Sequence, residues 1–380
     1  MIRRSLPMRL YVILVPLALA LAACATGATP PPPAAANPPP SPVIPAPPAT
    51  SAETLLPKIP QPPERPVAPP SVTDPAIPLA QRIDAFVDYT AQAYGVDPKV
   101  IRATLAQAEY KQSIIDAISR PAEKVRPWRD YRPIFMNDAR IAGGKAFYAD
   151  NRAALDRITA STGVPAEYIV AIIGVETSYG KITGNYRVLD ALYTLAFWHP
   201  KRAPFFAGEL AQLFALAKEE PQLDVLALKG SYAGAMGMGQ FMPSSYRNWA
   251  KDGDGDGRRD LLDHKPDVFA SIANYFVVHG WQRGGPVVAR AARDAGAADF
   301  VPADLDPVYP LPLLAQKGYR PMAGEPTADG ATLLSLDGEA GREYWLGYRN
   351  FYVITRYNRS PMYALAVHQL AQAIGGNGAP

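Results

Sequence analysis

The sequence predicts a mainly α-helical fold from about Leu79 onward, with a small β-rich subdomain inserted near its C-terminal end. Three observations predict it. Apolar residues recur at three- and four-residue spacing through the middle of the chain, and several of these segments begin with proline. After about Gly284 the pattern changes to short runs punctuated by Pro and Gly. Proline suits the first helical position because the N–H it lacks would have no helical partner there.

In order, Ile83, Phe86, Val87 and Tyr94 mark a first helix from Leu79, which Gly95-Val96-Asp97-Pro98 breaks before a second over Val100–Ala108. Helical periodicity then places segments at Ala146–Thr162, Pro165–Thr177, Leu189–Phe197, Phe205–Ala217, Pro243–Ala250 and Pro266–His279. Between about residues 284 and 357, Ala331–Leu336 and Phe351–Ile354 read as short extended runs, with turn pairs at Asp329-Gly330 and Asp337-Gly338. Tyr363–Ile374 reads as a closing helix, and no repeat of solenoid period is present.

The first 78 residues follow other rules. Arg3, Arg4 and Arg9 precede an apolar run from Leu10 to Ala23, the pattern of an export signal over residues 1–23 and too short for a confident membrane span. The run ends in Leu21-Ala22-Ala23-Cys24, which resembles the lipobox of bacterial lipoproteins, in which the cysteine is acylated. As an ordinary cleaved signal it would leave Cys24 a lone thiol. Cys24 is the only cysteine, so disulfides within the chain are excluded. Ala25 after it resembles lipoproteins sent on to the outer membrane, which implies a periplasmic protein held to the inner leaflet of that membrane.

Of the 41 prolines, 20 fall between Pro30 and Pro78, among Ala, Ser and Thr and without an aromatic residue. Such a stretch cannot build a core, so residues 24–78 are expected to be a disordered, semi-rigid tether. At ~3 Å per residue, about fifty residues reach on the order of 150 Å. Net charge is +3, with neither a basic stripe nor a nucleic-acid motif, so nucleic acid is excluded as a partner.

Candidate chemistry begins at Glu176, which lies three, four and seven residues after Ile173, Ile172 and Ile169 and so shares their apolar face. Desolvation there would raise the pKa of a carboxylic acid toward the range of a proton donor. Gly180 is expected to end the helix and leave space beside the acid. A structural carboxylate satisfied by hydrogen bonds or an arginine fits that segment equally well. A second segment, Gly230 to Tyr246, packs four glycines into Gly230–Gly239 before Gln240. Glycines let backbone approach a ligand closely, and glutamine offers a donor and an acceptor to a sugar.

Together these segments resemble the lysozyme-like lytic transglycosylases, and more closely the membrane-bound lytic murein transglycosylase B family. The resemblance is carried by Ile172-Ile-Gly-Val-Glu-Thr177, by Gly230 to Tyr246, by the Asp-Gly loop below, by Ala273-Asn-Tyr-Phe276 with His279-Gly-Trp281, and by Asn350 to Asn358. It spans about residues 80–375 and implies a lysozyme-like α+β fold acting on peptidoglycan glycan strands. Met238 stands where the family has an aromatic residue, and Ser178-Tyr179 where it has an Arg-Trp pair.

Asp252-Gly-Asp-Gly-Asp-Gly-Arg-Arg-Asp-Leu-Leu-Asp263 puts Asp252, Asp254, Asp256, Asp260 and Asp263 at positions 1, 3, 5, 9 and 12 of an EF-hand spacing, with Gly257 at position 6 and Arg258 at the backbone-carbonyl position 7. So many carboxylates repel without a cation. The family resemblance also implies Ca²⁺ here, in a structural role. Asp263 is shorter than the Glu usual at position 12.

A hydrolase of the usual kind needs two carboxylates across the scissile bond. Asp190, Glu209, Glu219 and Glu220 read as ordinary solvated helix faces, so no second one is evident. The resemblance implies a single-acid route in which Glu176 protonates the glycosidic oxygen and then takes a proton from the muramoyl 6-hydroxyl, giving a 1,6-anhydro end. It also implies Ser231, Gln240, Tyr275, Tyr357 and Asn358 as sugar contacts, with Tyr131 on a weaker match. Each tyrosine also fits a partly buried core ring. A hydrolytic muramidase and a non-catalytic peptidoglycan-binding lipoprotein are the rival readings. Further implied partners are the outer membrane, through lipidated Cys24, and proteins of cell-wall synthesis or hydrolysis.

Overall fold

A computed structural model describes residues 54–62, 65, 67–119 and 126–376. The signal segment, Cys24 and the first half of the proline-rich stretch lie outside the described residues. Helices dominate. They are α1 (Pro70–Thr73), α2 (Leu79–Tyr94), α3 (Pro98–Leu105), α4 (Gln112–Ser119), α5 (Trp128–Phe135), α6 (Asp138–Thr162), α7 (Ala166–Thr177), α8 (Val188–Trp198), α9 (Ala203–Glu219), α10 (Pro243–Trp249), α11 (Lys265–Val278), α12 (Leu311–Gln316), α13 (Arg349–Tyr357) and α14 (Pro361–Gly375). The strands are β1 (Tyr186–Arg187), β2 (Lys229–Gly230), β3 (Val288–Arg293), β4 (Tyr309–Pro310), β5 (Tyr319–Pro321), β6 (Gly330–Gly338) and β7 (Gly341–Gly347).

The ends of the helices have visible causes. Asp97 caps α3 by accepting the Lys99 N–H at 2.8 Å, with Pro98 next in line. Asn137 does the same for α6 through Arg140, and α2, α6 and α14 stop at Gly95, Gly163 and Gly376 in the left-handed conformation. α7 is the axis of the core. Ala166 and every residue from Tyr168 to Gly174 are buried, so this helix is apolar all round rather than on one stripe, and it packs against α6, α11 and α14. α8 and α9 form a second tightly packed pair beside it.

The second layer is an antiparallel five-stranded sheet in the order β4-β6-β7-β3-β5. Its long hairpin turns between Gly338 and Gly341 as the Asp337-Gly338 pair predicts, and Ala289, Leu314, Tyr319, Ala331, Leu346 and Tyr348 give it a small core of its own. The β-rich reading overreaches at one end. Phe351–Ile354 is buried helix in α13, because a short, fully apolar run carries no period that separates strand from helix. Sequence reading also missed α4 and α5 and started α6 eight residues late, at Ala146 instead of Asp138.

The described residues between 54 and 78 differ most from expectation. They are not a free tether: Leu56 donates to the Val308 carbonyl, Ile59, Ala68 and Val72 are buried, and Ala68 donates to the Pro204 carbonyl. Composition gave no sign of this, since the docking uses single apolar residues and backbone groups that a proline-rich count does not weigh.

Two histidines lie in this core. His368 on α14 meets the Tyr168 hydroxyl at 2.7 Å, and His279 stacks on Tyr275 with ring centroids 4.0 Å apart. Burial pushes both imidazoles down to about 4. Because the folded value is below the unfolded one, the unfolded chain takes up the protons first, so stability present above pH 6.5 is lost as pH falls toward 4. Roughly 2 kcal/mol per histidine is at stake by pH 5. Urea denaturation at pH 7 and pH 5 should show wild type losing more stability than His368→Gln, and equal losses would refute the assignment.

Candidate active site

Glu176 is the penultimate residue of α7, and how α7 ends decides where its carboxylate goes. The helix stops at Thr177, before the expected Gly180, because Ser178 and Tyr179 both take left-handed φ values of 51° and 64° ahead of Gly180. Such values are uncommon for side-chain-bearing residues. Tyr179 is held there by its surroundings. Its hydroxyl donates to the Arg140 carbonyl at 2.7 Å, and its ring lies where a Cβ on Gly174 would come within 2.7 Å. Fully buried Thr177 fixes the other side: its Oγ1 lies 2.9 Å from the Met238 carbonyl and accepts the Gly180 N–H. One hydroxyl thus joins the end of the acid's helix to the glycine-glutamine segment.

That segment folds into tight reversals with bridges Gly230–Met236 and Met236–Phe241. Gly237 must be glycine, since at φ 67° a Cβ would lie 2.0 Å from the Leu261 carbonyl oxygen. Gln240 also has a left-handed φ, 51°, and its side-chain amide donates to the Thr183 and Gly237 carbonyls, both at 3.0 Å. Its N–H groups are therefore spent on backbone. That leaves its carbonyl oxygen, an acceptor, whereas sequence reading expected both roles. Ser231 is the converse: its Oγ accepts from the Ala233 and Ala235 N–H groups, which leaves its proton to donate.

These residues meet in one cavity of about 440 Å³, lined by Glu176, Ser231, Gln240, Tyr275, Tyr357 and Asn358. All six were singled out from sequence. Among the described residues on its wall, Glu176 is the only carboxylate. The wall also carries Arg65, Arg202, Tyr232 and Ser245, which sequence reading did not find. Tyr131 is not on this wall: it is buried among Trp128 and Phe135 on α5.

The most consequential omission is Tyr363 of α14, whose hydroxyl donates to Glu176 Oε1 at 2.5 Å. Sequence reading placed Tyr363 in a helix, but 187 residues of separation hid the pairing. The Tyr363 and Tyr357 phenols are pushed well up by burial first and by the Glu176 charge second, so both stay neutral donors. Tyr357 donates to the Gly239 carbonyl and Tyr275 to that of Arg356, each at 2.6 Å. These are wall rings locked by their own hydroxyls.

The solvated reading of the other acids is overturned for three of four. Asp190 is buried and paired with Arg187 at 2.6 Å, Glu220 is buried and paired with Arg259 at 2.5 Å, and Glu209 is buried with both oxygens on Ser244. Glu219 alone is open to solvent, where it pairs with Arg247. An arginine within reach makes burial tolerable, and helical periodicity does not show which partner folds against a face.

In the Asp-Gly loop, Asp252 accepts backbone N–H groups of Asp254, Gly255, Asp256 and Gly257, and these hydrogen bonds, that of Gly257 foremost, hold its carboxyl below the usual range. Asp252, Asp254 and Asp256 bring carboxylate oxygens within 4.8 Å of one another, an all-oxygen set suited to a hard cation. Asp260 and Asp263 do not join that set. Asp260 instead accepts the Leu262 and Asp263 N–H groups. A second grouping, Asp254 with His264 and Asp267, was not foreseen.

Residues 79–372 match the family described as Transglycosylase SLT domain. The chain is 42% identical to membrane-bound lytic murein transglycosylase B of Escherichia coli K12 over 298 residues, 76% of this chain and 81% of that one. Its fold is similar to that of a soluble lytic transglycosylase of Pseudomonas aeruginosa, at 47% identity and a TM-score of 0.73 over 78% of this chain and 98% of the other. It is also similar to an Escherichia coli lytic transglycosylase solved in complex with calcium, at 41% identity and a TM-score of 0.70 over 77% and 92%.

If Tyr363 holds the acid, Tyr363→Phe removes one charge-assisted hydrogen bond of about 1.5–3 kcal/mol. Turnover should fall roughly ten- to hundredfold with KM nearly unchanged. Steady-state assays on purified peptidoglycan check it, and a variant as fast as wild type rules it out.

Proposed function

The chain belongs to the transglycosylase SLT domain family, and from that premise we propose that Glu176 alone carries both proton transfers of the reaction. The protein is a peptidoglycan lytic transglycosylase that cleaves the β-1,4 bond between N-acetylmuramic acid and N-acetylglucosamine. Support for the single-acid route is one observation: the cavity wall offers one carboxylate. Glu176 gives its proton to the glycosidic oxygen as the bond from the muramoyl anomeric carbon breaks. The muramoyl 6-hydroxyl oxygen then bonds to that carbon and returns its proton to Glu176. No water is consumed, and the acid ends as it began.

Within this reading Tyr363 orients the carboxyl, Ser231 donates and Gln240 accepts at sugar polar groups, and Tyr275, Tyr357 and Asn358 form the wall. Expected outcomes are sharp. Mass spectrometry of released muropeptides should find products one water lighter than hydrolysed ends, and hydrolysed ends alone would establish a muramidase instead. Glu176→Gln should lose activity by on the order of 10³-fold or more. Clearing of peptidoglycan by that variant at the wild-type rate would leave only a binding role.

We infer also that Asp252, Asp254 and Asp256 hold Ca²⁺, joined by the Arg258 carbonyl and by Asp260 and Asp263 once the loop closes. The ion supplies charge compensation and no chemistry. Ca²⁺ added to chelated protein should raise the Tm by roughly 5 °C or more at saturating concentration. Asp252→Asn should abolish that response, and a Tm that ignores Ca²⁺ in wild type counts against the site.

The membrane-bound name of the Escherichia coli relative supports a periplasmic, membrane-associated enzyme. Acylation of Cys24 and attachment to the inner leaflet of the outer membrane complete the reading.

A further inference from the structure

The proline-rich segment ahead of the family domain reaches the active site. From Leu56, bonded to Val308, it runs to Lys58, which pairs with Asp304 and lies 3.4 Å from Asp306, and then to buried Ile59 beside Gly280. Further on, Ala68 bonds to Pro204 at the start of α9. Between these anchor points Arg65 enters the cavity that holds Glu176. Its Nη2 donates to Ser245 Oγ at 3.0 Å, and its Nη1 lies 3.6 Å from Glu209 Oε1.

Glu209 explains why a guanidinium is needed there. It is 1% exposed, and its two oxygens accept the Ser244 N–H at 2.9 Å and the Ser244 hydroxyl at 2.6 Å. These bonds pin the first turn of α10, directly after Gln240, Phe241 and Met242 of the groove wall. An ionised carboxylate so buried is costly without a counter-charge, and Arg65 is the ion-pair partner it has among the described residues. Arg202, on the same wall, instead lies over the Phe205 and Phe206 rings. Arg65 precedes the matched residues 79–372, so the family match assigns it nothing.

We propose that Arg65 is a positioning residue of the active site, carried into the groove by the strap ahead of the domain: by balancing Glu209 and bonding Ser245 it holds Ser244 and Ser245 in the sugar-binding wall. The inference rests on the reading of that groove given above. The segment that joins an anchor to the enzyme is then also part of the enzyme. Cleavage of the chain ahead of the strap spares the site, and loss of the strap with Arg65 damages it.

In the full chain, Arg65→Met should raise KM for solubilised peptidoglycan at least tenfold while kcat stays within about threefold, and Arg65→Lys should recover part of the loss. Glu209→Gln removes the charge that needs balancing. The double variant Arg65→Met/Glu209→Gln should therefore come within about threefold of Glu209→Gln alone. An Arg65→Met variant with wild-type KM, or one that only melts earlier, overturns the proposal. So does a loss of equal size in both backgrounds. Binding of full-length Glu176→Gln protein to intact sacculi, with and without Arg65→Met, separates the two readings. If wild type forms no anhydro product yet Arg65→Met still weakens that binding tenfold, the reaction assignment falls and the role of Arg65 stands.

Discussion

Thr177 is a single buried hydroxyl on which the geometry of the groove depends. It follows the proposed acid by one residue, sits 3.1 Å from the Ile173 carbonyl inside α7 and 2.9 Å from the Met238 carbonyl outside it, and accepts from Gly180. α7 is apolar all round and sealed in the core, so its end cannot drift. Thr177 transfers that rigidity to the glycine-glutamine segment. Tyr179, wedged over Gly174, keeps the chain in the left-handed turn that lets both segments meet. A carboxyl group and the cavity wall beside it are thereby held from one point.

The charges of the molecule are arranged around keeping one carboxylate alone. Asp190 and Glu220 are matched with arginines inside the fold, and Glu209 with Arg65 and Ser244. None of them opens onto the cavity wall. The phenols beside Glu176 stay neutral, so they orient it without competing for its proton. Among the described residues of that wall Glu176 is the one carboxylate, which fits the proposed capture by a hydroxyl already on the sugar.

Bracing of the wall comes from outside its own segment. On one side the Leu261 carbonyl, at the exit of the Asp-Gly loop, lies against Gly237 at the distance only glycine allows. The Tyr246 hydroxyl bonds the same stretch at Arg259 and Leu261. On another side the strap reaches Ser245 through Arg65. The Asp-Gly loop and the strap thus bear on the same short run of residues, from Gly237 to Ser245.

Local pattern carried a good deal of this. The helix of the acid, the glycine-glutamine segment, the Asp-Gly spacing and six cavity residues are legible because each is contiguous in sequence, and the chemistry of a contiguous motif is written in its residue types and spacing. Pairings across long separations are not written there. Tyr363 with Glu176, Arg65 with Glu209, and the burial of Asp190 and Glu220 each depend on which helix packs against which, and composition counts every proline in residues 54–78 alike whether the segment docks or not. The sequence by itself determined most of the helices and the residue types of the candidate acid and candidate ion ligands. Only the tertiary structure decided which hydroxyl holds the acid, which donors of Gln240 are already spent and which carboxylates are neutralised, because those outcomes are set by three-dimensional proximity, which residue order does not encode locally.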